Sequence, residues 1–255
     1  MENRSIALLG TGNYAWHLQR LLQNAGVPIH WHYGRNPHAF RDFPSTADVQ
    51  VNRLEALEHA NVCFLAISDR SLPAVSKLLA KDGRLLIHVS GGKSIESLKG
   101  SRRGVFYLPQ TLTKGRVIDL TTLTFCLEAD REEDLIWMEE LAAKMQMSSL
   151  RMNSEARKHL HLAAVFANNF TNHMYAVGTE WLESNGLPPH LLHPLIRETA
   201  DKAIEMGPTK AQTGPAVRGD IPTIKKHQRM LKDIGLKRLY RQITRHIFER
   251  RGKEL

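Results

Sequence analysis

Cysteine is scarce in this chain: Cys63 and Cys126 are the only two among 255 residues. Each lies in an apolar run typical of a strand, so we interpret both as core residues in a reducing compartment and not as a disulfide. No apolar run approaches the roughly 18 residues that a membrane-spanning helix needs. Too few residues precede the first predicted strand for a signal peptide, so we expect a cytoplasmic protein without a membrane partner.

Negative charge is scarce near the carboxyl end. Residues 223–255 contain eleven Lys or Arg against three acids, a balance of 11 − 3 = +8 out of the net +9 of the whole chain. Apolar residues recur there at helical spacing, which favours an amphipathic helix with a solvated basic face. The alternative is that this face steers anionic ligands or binds an acidic partner. A nucleic-acid partner is not expected, because we find no aromatic or base-reading groups among these charges.

The most informative stretch begins at Ser5. Residues 5–9 form an apolar run that predicts a buried strand, and a helical pattern covers residues 14–24. Between them stands a GxGxxA turn. A strand, a glycine turn and a helix in this order predict a dinucleotide-binding site, with exposed helix amides facing the phosphates. The predicted cofactor-binding residues of the turn are Gly10, Thr11, Gly12, Asn13, Tyr14 and Ala15.

Acidic residues are absent from Asn3 to Arg41, where an NAD site would need one. An Asp or Glu about 20 residues beyond the glycines normally binds the ribose 2′-hydroxyl. Arg35 stands instead at the end of the second predicted strand, 27–33, and Asn36 follows it. A guanidinium at this point can bind a 2′-phosphate in a bidentate manner, so the sequence predicts NADP. A solvated surface Arg is the alternative.

Two further predicted strands, 61–67 and 84–89, each end in polar residues. Ligands bind at the carboxyl ends of strands in open α/β sheets. We therefore expect Ser68 and Asp69 to line the cofactor site. The turn Ser90, Gly91 and Gly92 is expected to bind the substrate or the nicotinamide.

Two more strands are predicted at 104–111 and 123–127. The alternation of strands and helices then stops near residue 150, and only helices are predicted from Asn153 onward. We therefore expect an α/β protein. A Rossmann domain with a doubly wound parallel sheet occupies residues 1–150, and an all-α domain occupies 151–255. A small helical set buries a long helix most easily by pairing with a second copy, so this domain is expected to form a homodimer. His30 and His32 are interpreted as packing residues and not as a metal site.

The longest predicted helix, 154–185, carries Arg157, His161 and the pair Asn168-Asn169. Together with the opening turn, Ser90–Gly92 and Thr213–Asp220, it resembles a bacterial family in which a Rossmann NADP-oxidoreductase domain precedes a helical domain of the 6-phosphogluconate-dehydrogenase C-terminal type. The resemblance covers essentially the whole chain. It implies an NADP-dependent oxidoreductase that dimerises through its helical domain and acts on a small polar substrate between the domains.

More distantly, the chain is similar to β-hydroxyacid dehydrogenases and to pyrroline-5-carboxylate reductase. In the dehydrogenases a catalytic Lys precedes an Asn-Asn pair by three residues, which places Val165 at the position of the Lys. Val cannot transfer a proton. The reductase closes a polar loop over its substrate, and the similar loop here makes Arg218 and Asp220 candidates for substrate binding.

His161 is the predicted substitute for the missing Lys. In a regular α-helix it lies one turn before Val165 and two turns before Asn168, on a shared face. Imidazole can donate a proton near neutral pH, so we expect His161 to be catalytic, with Asn168 and Ser90 orienting the reacting group. Asn169 is assigned to substrate binding, and Arg157 to a carboxylate of an anionic substrate.

Two alternatives stay open. In the first, His161 is a hydrogen-bonded packing histidine and Arg157 lies at the surface. In the second, the chain binds NADP as a regulatory or scaffold protein without turnover, which the Val at position 165 favours.

Overall fold

The computed structural model describes residues 4–43, 47–81 and 83–251. The chain forms two compact units, of which one extends to Asn172 and the other begins at His173. This division falls later than the predicted boundary after residue 150. Ser154 and Arg157 in the first turns of the long helix bond to Glu128 of the sheet, so these turns belong with the first unit.

The first unit is built on one eight-stranded sheet. Its strands in space follow the order β3-β2-β1-β4-β5-β6-β7-β8, and the neighbouring pairs are parallel except for β6 and β7. The order reverses between β1 and β4, as in Rossmann folds, so the predicted doubly wound sheet is confirmed. The strands are β1 (Ile6–Leu9), β2 (Ile29–Tyr33), β3 (Ala47–Val51), β4 (Val62–Leu65), β5 (Leu85–His88), β6 (Arg102–Tyr107), β7 (Thr124–Ala129) and β8 (Ser148–Arg151).

Helices cover both faces of the sheet, because its central strands are apolar on both sides. Ile6 and Leu8 of β1 belong to a core that includes residues of α1 (Asn13–Asn24) and α3 (Glu132–Lys144). Ala7 and Leu9 belong to a second core, with residues of α2 (Leu72–Leu79). Cys63 and Cys126 are free and buried in strands, as predicted for core residues.

The sheet differs from the prediction in two additional strands and in the direction of one strand. β3 and β8 were not predicted, and β8 adds an edge strand after the last predicted one, 123–127. Its four residues are all exposed, so they lack the apolar signal of a buried strand. β7 runs antiparallel to β6 and departs from the fully parallel sheet that we expected.

Helices alone make up the rest of the described chain, as predicted from Asn153 onward. The long helix begins as α4 (Ser154–Ala164), passes through a π-helical segment at Val165–Phe170 and continues as α5 (Thr171–Ser184). The helices that follow are α6 (His193–Met206), α7 (Pro208–Ala211), α8 (Pro215–Arg218), α9 (Ile221–Met230) and α10 (Ile234–Arg251). No helix within the described ranges has both the length and the apolar character needed to cross a bilayer.

The second unit contains an open apolar pocket of about 520 Å³. The predicted apolar stripe of the terminal helix contributes to its lining, while Arg238, Arg241 and Arg245 on the same helix are exposed. This arrangement confirms an amphipathic helix with a solvated basic face, although Lys253 lies outside the described residues. The stripe consists of Leu236, Leu239, Tyr240, Ile243 and Ile247.

Candidate functional site

The glycine turn after β1 has the shape that the sequence predicted. Gly10 adopts φ +121°, and a Cβ on it would lie 2.1 Å from the carbonyl oxygen of Ala66, so no other residue fits there. Gly12 precedes the first residue of α1, and a Cβ on it would meet no atom within 4 Å. No side chain caps the amides of this helix start. The turn therefore leaves open space at a helix N-terminus, which suits a pyrophosphate.

Neighbouring side chains hold the turn in place. His32 is buried, and its Nε2 donates to the carbonyl oxygen of Gly10 at 2.7 Å. Burial lowers the pKa of His32, which favours the neutral imidazole. Its ring packs edge-on against Phe40 and Phe43, so the predicted packing role is confirmed. Tyr14 anchors α1 by donating its hydroxyl to the carbonyl oxygen of Phe106 at 2.6 Å.

The end of β2 lies beside this turn. A Cβ on Gly34 would be 2.6 Å from Cγ2 of Thr11, and exposed Arg35 follows directly. Asn36 caps a short 3-10 helix by accepting from the amide of His38 at 3.0 Å. The first acid after the stretch without acids is Asp42, and it pairs with Lys114 at 2.9 Å. Arg35 is thus an exposed cation at the end of β2, where a 2′-phosphate would require one.

Asp69 and Ser90 meet at the carboxyl ends of β4 and β5, which are neighbours in the sheet. Ser90 Oγ donates to Oδ2 of Asp69 at 3.0 Å. Ser68 contacts the hydroxyl of Ser71 at 2.9 Å beside them. The structure thus places Asp69, which we predicted to line the cofactor site, in hydrogen-bond contact with Ser90, which we predicted to bind the substrate.

His161 lies against the turn that follows Ser90. A Cβ on Gly91 would be 2.9 Å from Nδ1 of His161, and one on Gly92 would be 3.4 Å from its Cδ2. Glycines at these positions therefore let the imidazole approach the backbone closely. The predicted proton donor and the predicted substrate turn are adjacent in the structure.

Tyr107 is a member of this cluster that the sequence did not reveal. A Cβ on Gly91 would also be 2.6 Å from Cζ of Tyr107, whose ring lies edge-on to the imidazole of His161 at 6.4 Å. Burial raises the pKa of Tyr107, so its hydroxyl stays protonated. The available signal was its place as the last residue of β6, at the same edge of the sheet as Ser90.

Arg157 does not have the role that we expected. Its side chain is 0% exposed, forms an ion pair with Glu128, and donates to the carbonyl oxygen of Lys93 at 2.6 Å. A substrate carboxylate cannot reach a guanidinium that is enclosed in this way. The surface alternative for Arg157 is wrong as well.

The π-helical segment changes which asparagine aligns with His161. A π-helical turn, with i→i+5 hydrogen bonds, contains about one residue more than an α-helical turn. The residue two turns after His161 on the same helix face is therefore the eighth residue along the chain and not the seventh. By this count Asn169 shares the face of His161 and Val165, and the catalytic role of Asn168 stays a prediction. Both asparagines are exposed. Such segments occur frequently at functional sites.

Arg218 and Asp220 lie in the second unit. Asp220 caps α9: its Oδ1 accepts from the amide of Thr223 at 3.1 Å. Hydrogen bonds from Thr223 hold the pKa of Asp220 below its usual value. The structure thus gives Asp220 a capping function, and the substrate-binding role of Arg218 and Asp220 stays a prediction.

The glycine turn, the cationic end of β2 and the polar edge of the sheet together define a Rossmann dinucleotide-binding protein. Two family models match the chain. Residues 5–92 match the model described as NADP oxidoreductase coenzyme F420-dependent. Residues 123–247 match a domain of unknown function, DUF2520. No curated protein sequence is significantly similar to the chain.

Solved structures resemble the chain over nearly its whole length. The putative NADP oxidoreductase BF3122 from Bacteroides fragilis is 34% identical, with a TM-score of 0.89 over 96% of this chain and 98% of that one. Protein TM1727 from Thermotoga maritima is 26% identical, with a TM-score of 0.73 over 98% and 99%. Pyrroline carboxylate reductase from Plasmodium falciparum, solved with NADP bound, is 14% identical with a TM-score of 0.59 over 100% and 97%, and shares the fold. The chain belongs to the family of NADP oxidoreductases that includes the Bacteroides protein, and NADP is the cofactor of this family.

Proposed function

We propose that this protein transfers a hydride between NADP(H) and a small polar carbonyl, hydroxyl or imine substrate. The observation that carries the proposal is the imidazole of His161 lying against Gly91 and Gly92. This turn follows β5, at the carboxyl edge of the same sheet that carries the glycine turn after β1. A group able to transfer protons beside a dinucleotide site is the combination that such a reaction needs.

The residues around the glycine turn fit NADP. The open position at Gly12 and the uncapped amides of α1 would hold the pyrophosphate, and Arg35 would hold the 2′-phosphate. When bound, the cofactor supplies or accepts the hydride. The protein must then orient the substrate and move one proton.

Ser90 orients the substrate as a hydrogen-bond acceptor. Its single hydroxyl proton is donated to Asp69, so its oxygen presents lone pairs. Such an oxygen can accept from a substrate hydroxyl or from the N–H of an imine or amine. His161 gives a proton to the oxygen or nitrogen that is reduced, or removes it in the reverse direction. Asn169, on the same helix face, supplies an amide for the remaining polar group of the substrate.

The prediction of an anionic substrate loses its main support. Arg157 was the cation predicted to bind the substrate carboxylate, and its guanidinium is paired with Glu128. The substrate class that we propose is therefore defined by the reacting polar group alone.

The second candidate is a regulatory or scaffold protein that binds NADP without turnover. Val165, at the position of the catalytic Lys in the β-hydroxyacid dehydrogenases, favours it. The two candidates differ in a direct experiment. NADP is titrated calorimetrically, and a panel of carbonyls and imines is then added with NADPH while the nicotinamide absorbance is followed. Oxidation of NADPH with any member supports the enzyme. Tight NADP binding with no change across a broad panel supports the scaffold.

We also propose a cytoplasmic homodimer that forms through the helical unit. Among the described residues from His173 onward, only Ala216 and Ile224 are buried, so this unit has almost no core of its own. Large apolar side chains are exposed instead, and a second copy would cover them. They include Leu187, Leu191, Leu195, Ile204, Ile221 and Ile234. Sedimentation of the purified protein tests this assembly directly.

A further inference from the structure

A carboxylate outside the predicted site connects α4 to the sheet. Glu128, near the end of β7, accepts from the backbone amide of Ser154 at 3.0 Å and from its hydroxyl at 2.8 Å. It also forms an ion pair with the fully buried guanidinium of Arg157. One acidic side chain thus holds the first turn of α4 at two residues.

The same helical turn is tied to the loop that follows Gly92. Arg157 donates to the carbonyl oxygen of Lys93 at 2.6 Å, and the amide of Ile95 donates to the hydroxyl of Ser154 at 3.0 Å. Glu128 and this loop therefore share the side chains of Ser154 and Arg157. The beginning of α4 cannot shift relative to the loop without breaking these two hydrogen bonds.

His161 follows Arg157 by four residues, so it lies one turn further along the same face of α4. Its imidazole lies against Gly91 and Gly92. These glycines immediately precede Lys93, whose carbonyl oxygen accepts the hydrogen bond from Arg157. The hydrogen bonds between the helix and the loop thus lie one helical turn before the contact of His161 with the glycines. We propose that Glu128 is a positioning residue: through Arg157 and Ser154 it fixes the imidazole of His161 against the Gly91-Gly92 turn.

An ion pair suits this task better than apolar packing. A buried pair gives little net stability, because desolvation of both charges offsets their attraction. Its hydrogen bonds have fixed directions, however, and a guanidinium that bonds both Glu128 and Lys93 sets the separation of the two elements. Apolar side chains of similar volume would tolerate sliding of the helix. The catalytic importance of this geometry rests on the proposed role of His161, whereas the positioning itself does not.

Glu128→Gln tests the inference, because it keeps the volume and removes the charge. The first readout is the NMR signals of the Gly91 and Gly92 amides and of the His161 imidazole, which the ring current makes sensitive to ring position. We expect these signals to move in Glu128→Gln. The matched control is Glu139→Gln, which breaks an exposed pair with Arg151 and should leave them unchanged.

The second readout is kinetic. With a substrate in hand, we expect kcat to fall by about 100-fold, because a displacement of about 1 Å at the reacting group has that effect. The affinity for NADP should stay the same. Ser154→Ala removes one hydroxyl from the same network and serves if Glu128→Gln does not fold.

Unchanged glycine and imidazole signals in a folded variant would overturn the positioning role, even if its stability fell. Because the NMR readout requires no turnover, it separates a failure of this inference from a failure of the proposed oxidoreductase function. If the signals move in Glu128→Gln but the native protein shows no activity, the positioning role of Glu128 stands and its importance for catalysis does not.

Discussion

Ser90 Oγ donates its proton to Oδ2 of Asp69 at 3.0 Å, and this bond joins the carboxyl ends of two adjacent strands. The bond makes the serine an acceptor toward a substrate hydroxyl or N–H group that lies beside it. A glycine-containing turn at a strand end would form equally well without the hydroxyl. The pair therefore has a chemical consequence that the backbone alone does not supply.

Ser90→Ala should lower kcat/KM by about 30-fold, the equivalent of about 2 kcal/mol for a hydrogen bond with a charged partner behind it. Steady-state kinetics with the substrate identified from the panel measure this effect. Ser71→Ala removes a neighbouring hydroxyl that contacts Ser68 and is the control. Equal kcat/KM values for the two variants would show that Ser90 does not contact the substrate.

Gly10 and Gly12 should respond to alanine in opposite ways. Gly10→Ala combines a positive φ with a clash at the carbonyl oxygen of Ala66, so we expect at least about 2 kcal/mol of destabilisation and a lower Tm. Gly12→Ala should leave Tm nearly unchanged, because its φ is −86° and nothing lies within 4 Å of the new methyl group.

The same methyl group at residue 12 would occupy the space proposed for the pyrophosphate, so NADP binding should weaken by at least about tenfold in calorimetry. A Gly12→Ala variant that is stable and binds NADP normally would contradict the assignment of this turn.

Arg35→Ala should remove most of the preference for NADP over NAD. Loss of a charge-assisted contact to the 2′-phosphate costs about 2 kcal/mol, or about 30-fold in NADP affinity, with little effect on NAD. Calorimetric titration with both dinucleotides checks this ratio. Arg238→Ala removes an exposed arginine of the second unit and should change neither affinity. If the preference survives Arg35→Ala, another cation recognises the 2′-phosphate.

The parts of the molecule that could be predicted are those that local chemistry determines. β1 reads as a buried strand because all four of its residues are apolar, and Gly10 is recognisable because a turn of that shape admits only glycine. β8 could not be found in this way, since its residues are all exposed and only pairing with β7 makes it a strand.

The errors within the site arise from contacts distant in sequence. Arg157 has no local sign of burial, because its partner Glu128 comes from a strand 29 residues earlier. A charged residue is normally exposed, so the sequence favoured a surface or substrate contact. The π-helical segment has no sequence signature either. Its single extra residue nevertheless changes which of Asn168 and Asn169 shares the helix face of His161.

His161→Gln and His159→Gln offer a matched test of the proton donor. Both histidines are exposed on the same helix, but His161 is the one that contacts the glycine turn. We expect kcat to fall by about 100-fold or more for His161→Gln, the usual effect of removing a general acid. His159→Gln should retain normal turnover, and both variants should bind NADP equally. If His161→Gln keeps its turnover, another group donates the proton, and Tyr107 is the first to examine.

Acid should weaken the fold over a defined pH range because of His88. This side chain is fully buried, and its Nδ1 accepts from the amide of Ser90 at 3.1 Å. Burial, followed by the nearby charge of Arg157, lowers the pKa of His88 to about 4. An unfolded histidine has a pKa of about 6.5, so between pH 6.5 and 4 the unfolded chain binds a proton that the folded chain does not.

The stabilisation from neutral His88 is therefore complete above pH 6.5 and is lost as the pH falls toward 4, by about 3 kcal/mol in total. Urea unfolding at intervals from pH 7 to pH 4 measures the slope. His88→Gln should flatten it, although buried His32, whose pKa is also lowered, leaves part of it in place. His59→Gln removes an exposed histidine and should keep the native slope. If His88→Gln and the native protein lose stability in parallel over this range, His88 is protonated at the same pH in both the folded and unfolded states and the buried neutral form is wrong.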